Sequence, residues 1–139
     1  MAQTLKDVMT PNPVTLPADT PVQEAARRMR DDDIGDVIVQ EGDQLRGIVT
    51  DRDIVVRVLA EGMDVAATSL GQICSQDLVT LSSDAQIDEA VQLMRERAIR
   101  RLPVVDGGRA VGMVSIGDLA IDRDPDSALA DISVAPGNT

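Results

Sequence analysis

Apolar residues Val22, Ala25, Ala26 and Met29 recur three and four positions apart, with Glu24, Arg27, Arg28 and Arg30 between them. That spacing predicts an amphipathic helix starting at Asp19 or Thr20 and running to about Arg30, with Thr20 and Gln23 spaced as a capping box. Pro17 and Pro21 punctuate the chain before it, so Val14 to Leu16 reads as a short strand. After the helix, the pattern changes to strands at Asp36 to Val39 and Arg46 to Thr50, joined by a tight turn at Glu41 to Gln44 that carries Gly42. A second helix is predicted from near Asp51 through Ile54, Val55, Val58 and Leu59, ending at Gly62 as a C-cap.

The same pattern returns 65 positions later without a gap: Val14, Thr15, Ile34 and Gly42 align with Val79, Thr80, Ile99 and Gly107. Gly47, Val49 and Asp53 align with Gly112, Val114 and Asp118, and upstream Leu5 and Val8 align with Leu70 and Ile73. The second helix stripe is Ile87, Ala90, Val91 and Met94, and the second hairpin runs from Leu102 to Val105, through Asp106-Gly107-Gly108-Arg109, to Ala110 to Ser115. The start of the following helix is at Asp118 to Asp122, with Asp124 and Pro125 soon interrupting it. Each copy therefore reads β-α-β-β-α, one over residues 1–65 and one over 66–125, with 126–139 as a C-terminal extension. Ser127 to Val134 fits either a short helix or a strand, and Pro136 to Thr139 reads as a frayed tail. Two copies this small bury little surface alone, so their apolar faces are expected to pack on each other.

Composition narrows the chemistry. The 139 residues contain no Phe, Tyr, Trp or His, so the core must be aliphatic and no imidazole is present for proton transfer or metal ligation. There is likewise no ring on which to stack a base. A net charge of −11 disfavours nucleic acid and anionic membranes, because both are gripped through cationic side chains. The single Cys74 permits no internal disulfide and reads as packing. No long apolar run or signal-peptide pattern stands out, so a cytoplasmic protein is expected.

The candidate chemistry lies where each hairpin ends. Gly47-Ile48-Val49-Thr50-Asp51-Arg52-Asp53 and Gly112-Met113-Val114-Ser115-Ile116-Gly117-Asp118 both place a hydroxyl three residues before an aspartate. A hydroxyl closing a strand and a carboxylate in the next helical turn converge beside free backbone N–H groups. Such a pair can hold a ribose diol near a phosphate. The competing reading is that Thr50 and Ser115 cap helices, with Asp53 and Asp118 as ordinary first-turn acids; duplication together with the preceding glycine weighs against it. Arg52, Arg97, Arg100 and Arg101 are placed to meet a phosphate, or else to neutralise solvated helix ends. Arg27, Arg28 and Arg30 read as surface partners of Asp31, Asp32 and Asp33, Gly107-Gly108 as a turn, and Asp51 beside Asp53 as abundance of aspartate rather than a Mg²⁺ or hydrolytic site.

These residues resemble a tandem pair of CBS domains, the regulatory repeat also called a Bateman module, and in particular the small stand-alone CBS proteins of actinobacteria. The resemblance rests on Asp7-Val8-Met9-Thr10 before a proline and a Val-Thr pair, Glu24-Ala25, Leu102 to Asp106, and the Gly-x-Val-Thr/Ser-x-x-Asp motif in both halves. It implies an α/β (α+β) fold of two pseudo-symmetric β-α-β-β-α repeats packed through their sheets, with two clefts for AMP, ADP, ATP or S-adenosylmethionine, and often a homodimer. It further implies ribose held by Thr50 with Asp53 and by Ser115 with Asp118. The base would lie against Val14 and Thr15, or Val79 and Thr80, its edge read by backbone near Val37 and Ile38, or Leu102 and Pro103. Copy one has Asp36-Val37-Ile38 where copy two has Arg101-Leu102-Pro103, so the two sites are not expected to be equal. The function expected is non-catalytic nucleotide sensing, acting on an effector protein. The alternative is a structural or protein-interaction dimer with vestigial ligand sites.

Overall fold

The computed structural model describes residues 3–75, 78–124 and 126–135. Its first elements are α1 (Leu5–Val8), β1 (Thr10–Pro11), β2 (Thr15–Pro17), α2 (Val22–Asp32), β3 (Asp36–Glu41) and β4 (Gln44–Thr50). A single α-turn, α3 (Asp51–Asp53), leads into a π-helical segment, Ile54–Leu59. Then follow α4 (Leu70–Ile73), α5 (Ile87–Arg97), β5 (Arg101–Asp106), β6 (Arg109–Ser115), α6 (Ile116–Arg123) and α7 (Ala128–Val134). The mixed α/β repeat is thus present twice, and Ser127 to Val134, open between helix and strand, is helical, with the Ser127 hydroxyl accepting from the N–H of Ala130 at 3.0 Å. The expected interruption at Pro125 and the tail 136–139 lie outside the described residues.

The chain divides into two compact units that cut across the repeats: Val14–Leu78, and Met1–Pro13 with Val79–Asn138. Each unit joins the body of one repeat to the leading segment of the other. In the first-named unit β2, β3 and β4 form a sheet, parallel between β2 and β3 and antiparallel between β3 and β4. Ser75, from the leading segment of the second repeat, bridges Ile48 of β4. In the other unit β1 takes the equivalent place, with Thr10 opposite Met113 and Pro11 opposite Gly112 in the sheet β1-β6-β5. The short helices follow the same exchange. Leu5 and Lys6 donate to the carbonyls of Ala85 and Ser83 at 3.0 Å each, while Leu70 and Gly71 donate to those of Thr20 and Ala18 at 2.9 and 2.8 Å. Orphan N–H groups of each helix are thereby satisfied by the other repeat's backbone.

This exchange explains the repeated glycine. A Cβ on Gly47 would collide with the Ser75 carbonyl, and one on Gly112 would collide with the Met9 side chain and press on the Thr10 carbonyl at 3.1 Å. Close backbone approach, rather than a ligand, accounts for glycine three residues before each hydroxyl.

The amphipathic stripes behave as their spacing indicates: Val22, Ala25 and Met29 of α2 are buried, as are Ile87, Ala90 and Met94 of α5. Two aliphatic cores result, one gathering Val37, Val39, Val49, Val58, Leu70 and Cys74 with α2, the other Leu5, Leu102, Val104, Val114 and Leu119 with α5. Cys74 is packing, as expected. The Thr20–Gln23 capping box does not form; α2 is capped at Pro21 without a side chain, and the N–H groups of Val22 and Gln23 reach the carbonyls of Thr68 and Val65 at 2.8 and 3.0 Å. A tertiary acceptor has displaced the local one.

The first strand of the second repeat also departs from expectation. In the first repeat, Ile38 donates to the Val14 carbonyl at 2.8 Å. Its counterpart is Pro103, which has no N–H to offer Val79. The strand expected at Val79 and Thr80 therefore shrinks to a bridge one residue on, where Leu81 pairs with Val104.

Adding a methyl at the two crossings should destabilise the fold unequally. Gly47→Ala meets a backbone carbonyl, whereas Gly112→Ala meets mainly a flexible Met side chain, so Gly47→Ala is expected to cost at least about 3 kcal/mol and Gly112→Ala about 1–2 kcal/mol. Urea denaturation of the two variants measures this; equal losses would show that backbone approach does not set the requirement.

Candidate functional site

Each repeat builds the same local device. In the first, the Thr50 N–H donates to Asp53 Oδ2 at 2.9 Å, and the Asp53 N–H donates to Thr50 Oγ1 at 3.1 Å. In the second, the Ser115 N–H donates to Asp118 Oδ2 at 2.9 Å and the Asp118 N–H to Ser115 Oγ at 3.2 Å. These are reciprocal capping boxes, so the capping role of all four residues is real. The boxes leave capacity unused. Each hydroxyl accepts from a backbone N–H and still has its own proton to donate, and each aspartate commits Oδ2 while Oδ1 faces elsewhere. Local order thus pre-sets the rotamers of a donor and an acceptor side by side.

The surroundings of the two devices differ. Asp36 stands opposite Thr50 in the β3–β4 register, and Arg101 opposite Ser115 in β5–β6. Arg57 Nε lies 3.7 Å from Asp53 Oδ1 and its Nη1 donates to the Ile73 carbonyl at 3.2 Å, tying the acid to α4. The matching position in the second repeat is Asp122. Burial pushes the Asp118 carboxyl above its ordinary 3.8, against the hydrogen bonds from Ser115 that pull it down. Arg57 is absent from the sequence-derived candidates, although its i, i+4 spacing from Asp53 is a readable signal.

The remaining candidates fall into two groups, one in each compact unit. Val14 is half-buried with its carbonyl held by Ile38, Thr15 is exposed opposite Ile38, and Val37 and Ile38 are buried in β3. Arg52 is exposed on α3. In the other unit Val79 is half-buried and Thr80 exposed ahead of the Leu81 bridge, and Leu102 and Pro103 are buried in β5. The Pro103 carbonyl accepts from Leu81 at 3.3 Å, so the Ile38 N–H and this carbonyl are both engaged within their sheets. Arg101 is half-buried at the start of β5, while Arg97, the last residue of α5, and Arg100, just before β5, are exposed. Ile116 donates to the Arg100 carbonyl at 2.9 Å, which brings Arg100 and Arg101 to the same end of the hairpin as Ser115 and Asp118. Arg27 has no part in this, while Arg28–Asp32 and Arg30–Asp31 are surface pairs at 2.6 and 2.9 Å.

Among the described residues no three Cys, Asp or Glu side chains are grouped to hold a metal ion, and no helix is long and apolar enough to cross a membrane.

A duplicated mixed α/β frame with a hydroxyl–carboxylate box closing each hairpin defines a tandem-repeat protein. The chain belongs to the CBS domain family, whose model matches residues 5–60 and 70–121, and the two matches together make it a Bateman module. It is 38% identical over 133 residues to the CBS domain-containing protein YhcV of Bacillus subtilis, covering 93% of this chain and 94% of that one. It is 34% identical over 118 residues to hypoxic response protein 1 of Mycobacterium tuberculosis, covering 84% and 82%. Among solved structures, the CBS domain pair of protein MJ0100, crystallised with 5′-methylthioadenosine and S-adenosyl-L-methionine, is 25% identical with a TM-score of 0.78, over 89% of this chain and 98% of that one.

Titration behaviour follows from these environments. Asp118 protonates more readily in the folded than in the unfolded chain, so its ionisation opposes folding above the raised pKa, and that penalty fades as pH falls through it. Asp7 is held below 3.8 by the backbone N–H groups of Thr4 and Gln3, and Asp106 by the Ser83 hydroxyl and N–H. Their contributions are present above the unfolded value and are lost as pH falls through their lowered values. Asp118→Asn, which keeps a cap acceptor, should therefore gain more stability over the parent at pH 7 than at pH 4, whereas Asp7→Asn should lose more at pH 7. Denaturation at both pH values checks the signs; the reverse order for Asp118→Asn would rule out desolvation as the dominant effect.

Proposed function

We propose that this chain is a non-catalytic sensor whose two hydroxyl–carboxylate boxes hold the ribose of an adenosyl ligand: AMP, ADP, ATP or S-adenosylmethionine. The observation that carries the reading is the spare chemistry of the boxes. The Oδ1 of Asp118, and that of Asp53 beside Arg57, has lone pairs for the 2′ and 3′ hydroxyls, and Thr50 or Ser115 retains a donor. The capping bonds hold these groups in place before a ligand arrives, which lowers the ordering cost of binding. Adenine would lie against Val14 and Thr15 or Val79 and Thr80, beside the backbone around Val37 and Ile38 or Leu102 and Pro103. With no aromatic ring in the chain, its faces would meet aliphatic side chains and peptide groups.

Phosphate would be met by Arg52 in the first repeat and by Arg97, Arg100 and Arg101 in the second. Asp36 stands opposite Thr50 where Arg101 stands opposite Ser115, so the two boxes are not expected to bind equally. Binding at MJ0100 of both 5′-methylthioadenosine and S-adenosyl-L-methionine supports the ligand class. Ligand would act by favouring one arrangement of a cytoplasmic homodimer over another, and through it an effector protein.

A second reading, an interaction dimer with vestigial sites, is favoured by one observation. Val55, Val56, Leu59 and Met63, on and just after the π-helical segment, are 54, 43, 66 and 40% exposed. Saturable binding separates the two readings.

Calorimetric titration with AMP, ADP, ATP, S-adenosylmethionine and NAD should find at least one saturable adenosyl ligand. Asp53→Ala or Asp118→Ala should weaken it about ten- to a hundredfold, the worth of hydrogen bonds to a charged group. Silence from all five at millimolar concentration overturns the sensor reading and leaves the interaction dimer.

A further inference from the structure

We infer that α7 is a strap over the second box: it occupies the ground beside Ser115 that a ligand would take, and it must lift for that box to fill. The inference rests on the nucleotide reading above and adds a gate to one of its two sites. Its basis is Gly117, which lies between Ser115 and Asp118. A Cβ there would collide with Ser133 Oγ of α7, stand 3.0 Å from Ser133 Cβ and lie 3.5 Å from Ser115 Oγ. α7 therefore passes beside the hydroxyl of the box, and Gly117 is buried. Backbone conformation does not call for glycine at this position, because Gly117 is helical without a positive φ, and glycine is a poor helix former. Close approach of α7 does call for it.

The first repeat leaves the same ground uncovered. Counting back 65 positions, Gly117 corresponds to Arg52, which is exposed and is the residue proposed to meet phosphate there. Ala130 and Ser133 correspond to Val65 and Thr68, whose carbonyls accept from Gln23 and Val22 at 3.0 and 2.8 Å and hold that stretch against α2. In the second repeat the matching stretch is helical and packs on α6 instead. The strap is lightly fastened. α7 has 7 residues, well under the roughly 12–15 at which a helix persists alone. Ala130 is its one buried side chain, whereas Leu129, Ile132 and Val134 are exposed. An element with so few buried contacts opens at low cost, so a ligand's own contacts can displace it. The second box is thus closed in the free protein and available to a ligand that lifts α7.

The test isolates each box in the full-length protein, Asp53→Ala leaving the second and Asp118→Ala the first. AMP, ADP, ATP and S-adenosylmethionine are titrated calorimetrically into each, with and without Ala130→Gln, which puts a polar amide under α7 and lifts it from α6. With α7 detached in roughly a tenth of molecules or fewer, its release should tighten binding at the second box about tenfold or more and leave the first unchanged. Gly117→Ala lifts α7 from the other side. The first box carries Arg52 at the matched place, so a methyl there leaves room for ligand, and the same gain is expected from this variant should Ala130→Gln not fold. In the chain without either change, the α7 amides should lose protection from hydrogen exchange as the second box fills. Binding at the second box that is absent, unchanged or weakened on release, an equal gain at both boxes, or α7 amides that stay protected with the box filled overturns the strap while the first box upholds the nucleotide reading. Silence of every variant toward all four ligands overturns both.

Discussion

Exchange of leading segments between the repeats is the constraint on which the rest of this structure depends. The backbone of residues 4–11 completes the sheet and satisfies carbonyls in the body of the second repeat, and the backbone of 69–75 does the same for the first. Neither repeat has enough apolar surface to close a core unaided, and neither short helix has enough residues to satisfy its own N–H groups. Gly47 and Gly112 sit where the crossing segments touch the hairpins, so the close approach and the glycine are one requirement seen from two sides.

Upon this shared frame the chemistry has become unequal. Ile38 has an N–H where Pro103 has none, and a three-residue strand becomes a single bridge. Asp36 faces Thr50 where Arg101 faces Ser115, and Arg57 supports Asp53 where Asp122 follows Asp118. Val58 is buried in a core where Arg123 lines a groove. Each pair differs by one side chain at a matched position, and each difference alters hydrogen bonding, charge or volume without disturbing the frame.

Capping and ligand-holding are often set against each other as explanations of a hydroxyl followed by an aspartate. In the proposed reading one supports the other. A carboxylate has two oxygens, and fixing one on the Thr50 or Ser115 N–H points the other in a set direction. The partial burial that raises the Asp118 pKa also strengthens any hydrogen bond its free oxygen accepts, because fewer waters compete.

The sequence by itself determined the repeat, the helix stripes, both hairpins and the two boxes, because each rests on periodicity or on contacts within three or four residues. Asp53 and Asp118 were legible for that reason, and Arg57 was legible by its spacing though it needed the Ile73 carbonyl to give it a role. Only the tertiary structure decided where each leading segment pairs, why α2 needs no Thr20 cap, why Val79 and Thr80 form no strand, and that Arg123 borders a groove. Those outcomes depend on backbone groups far apart in the chain competing for the same partners, and no local pattern records which of them arrives.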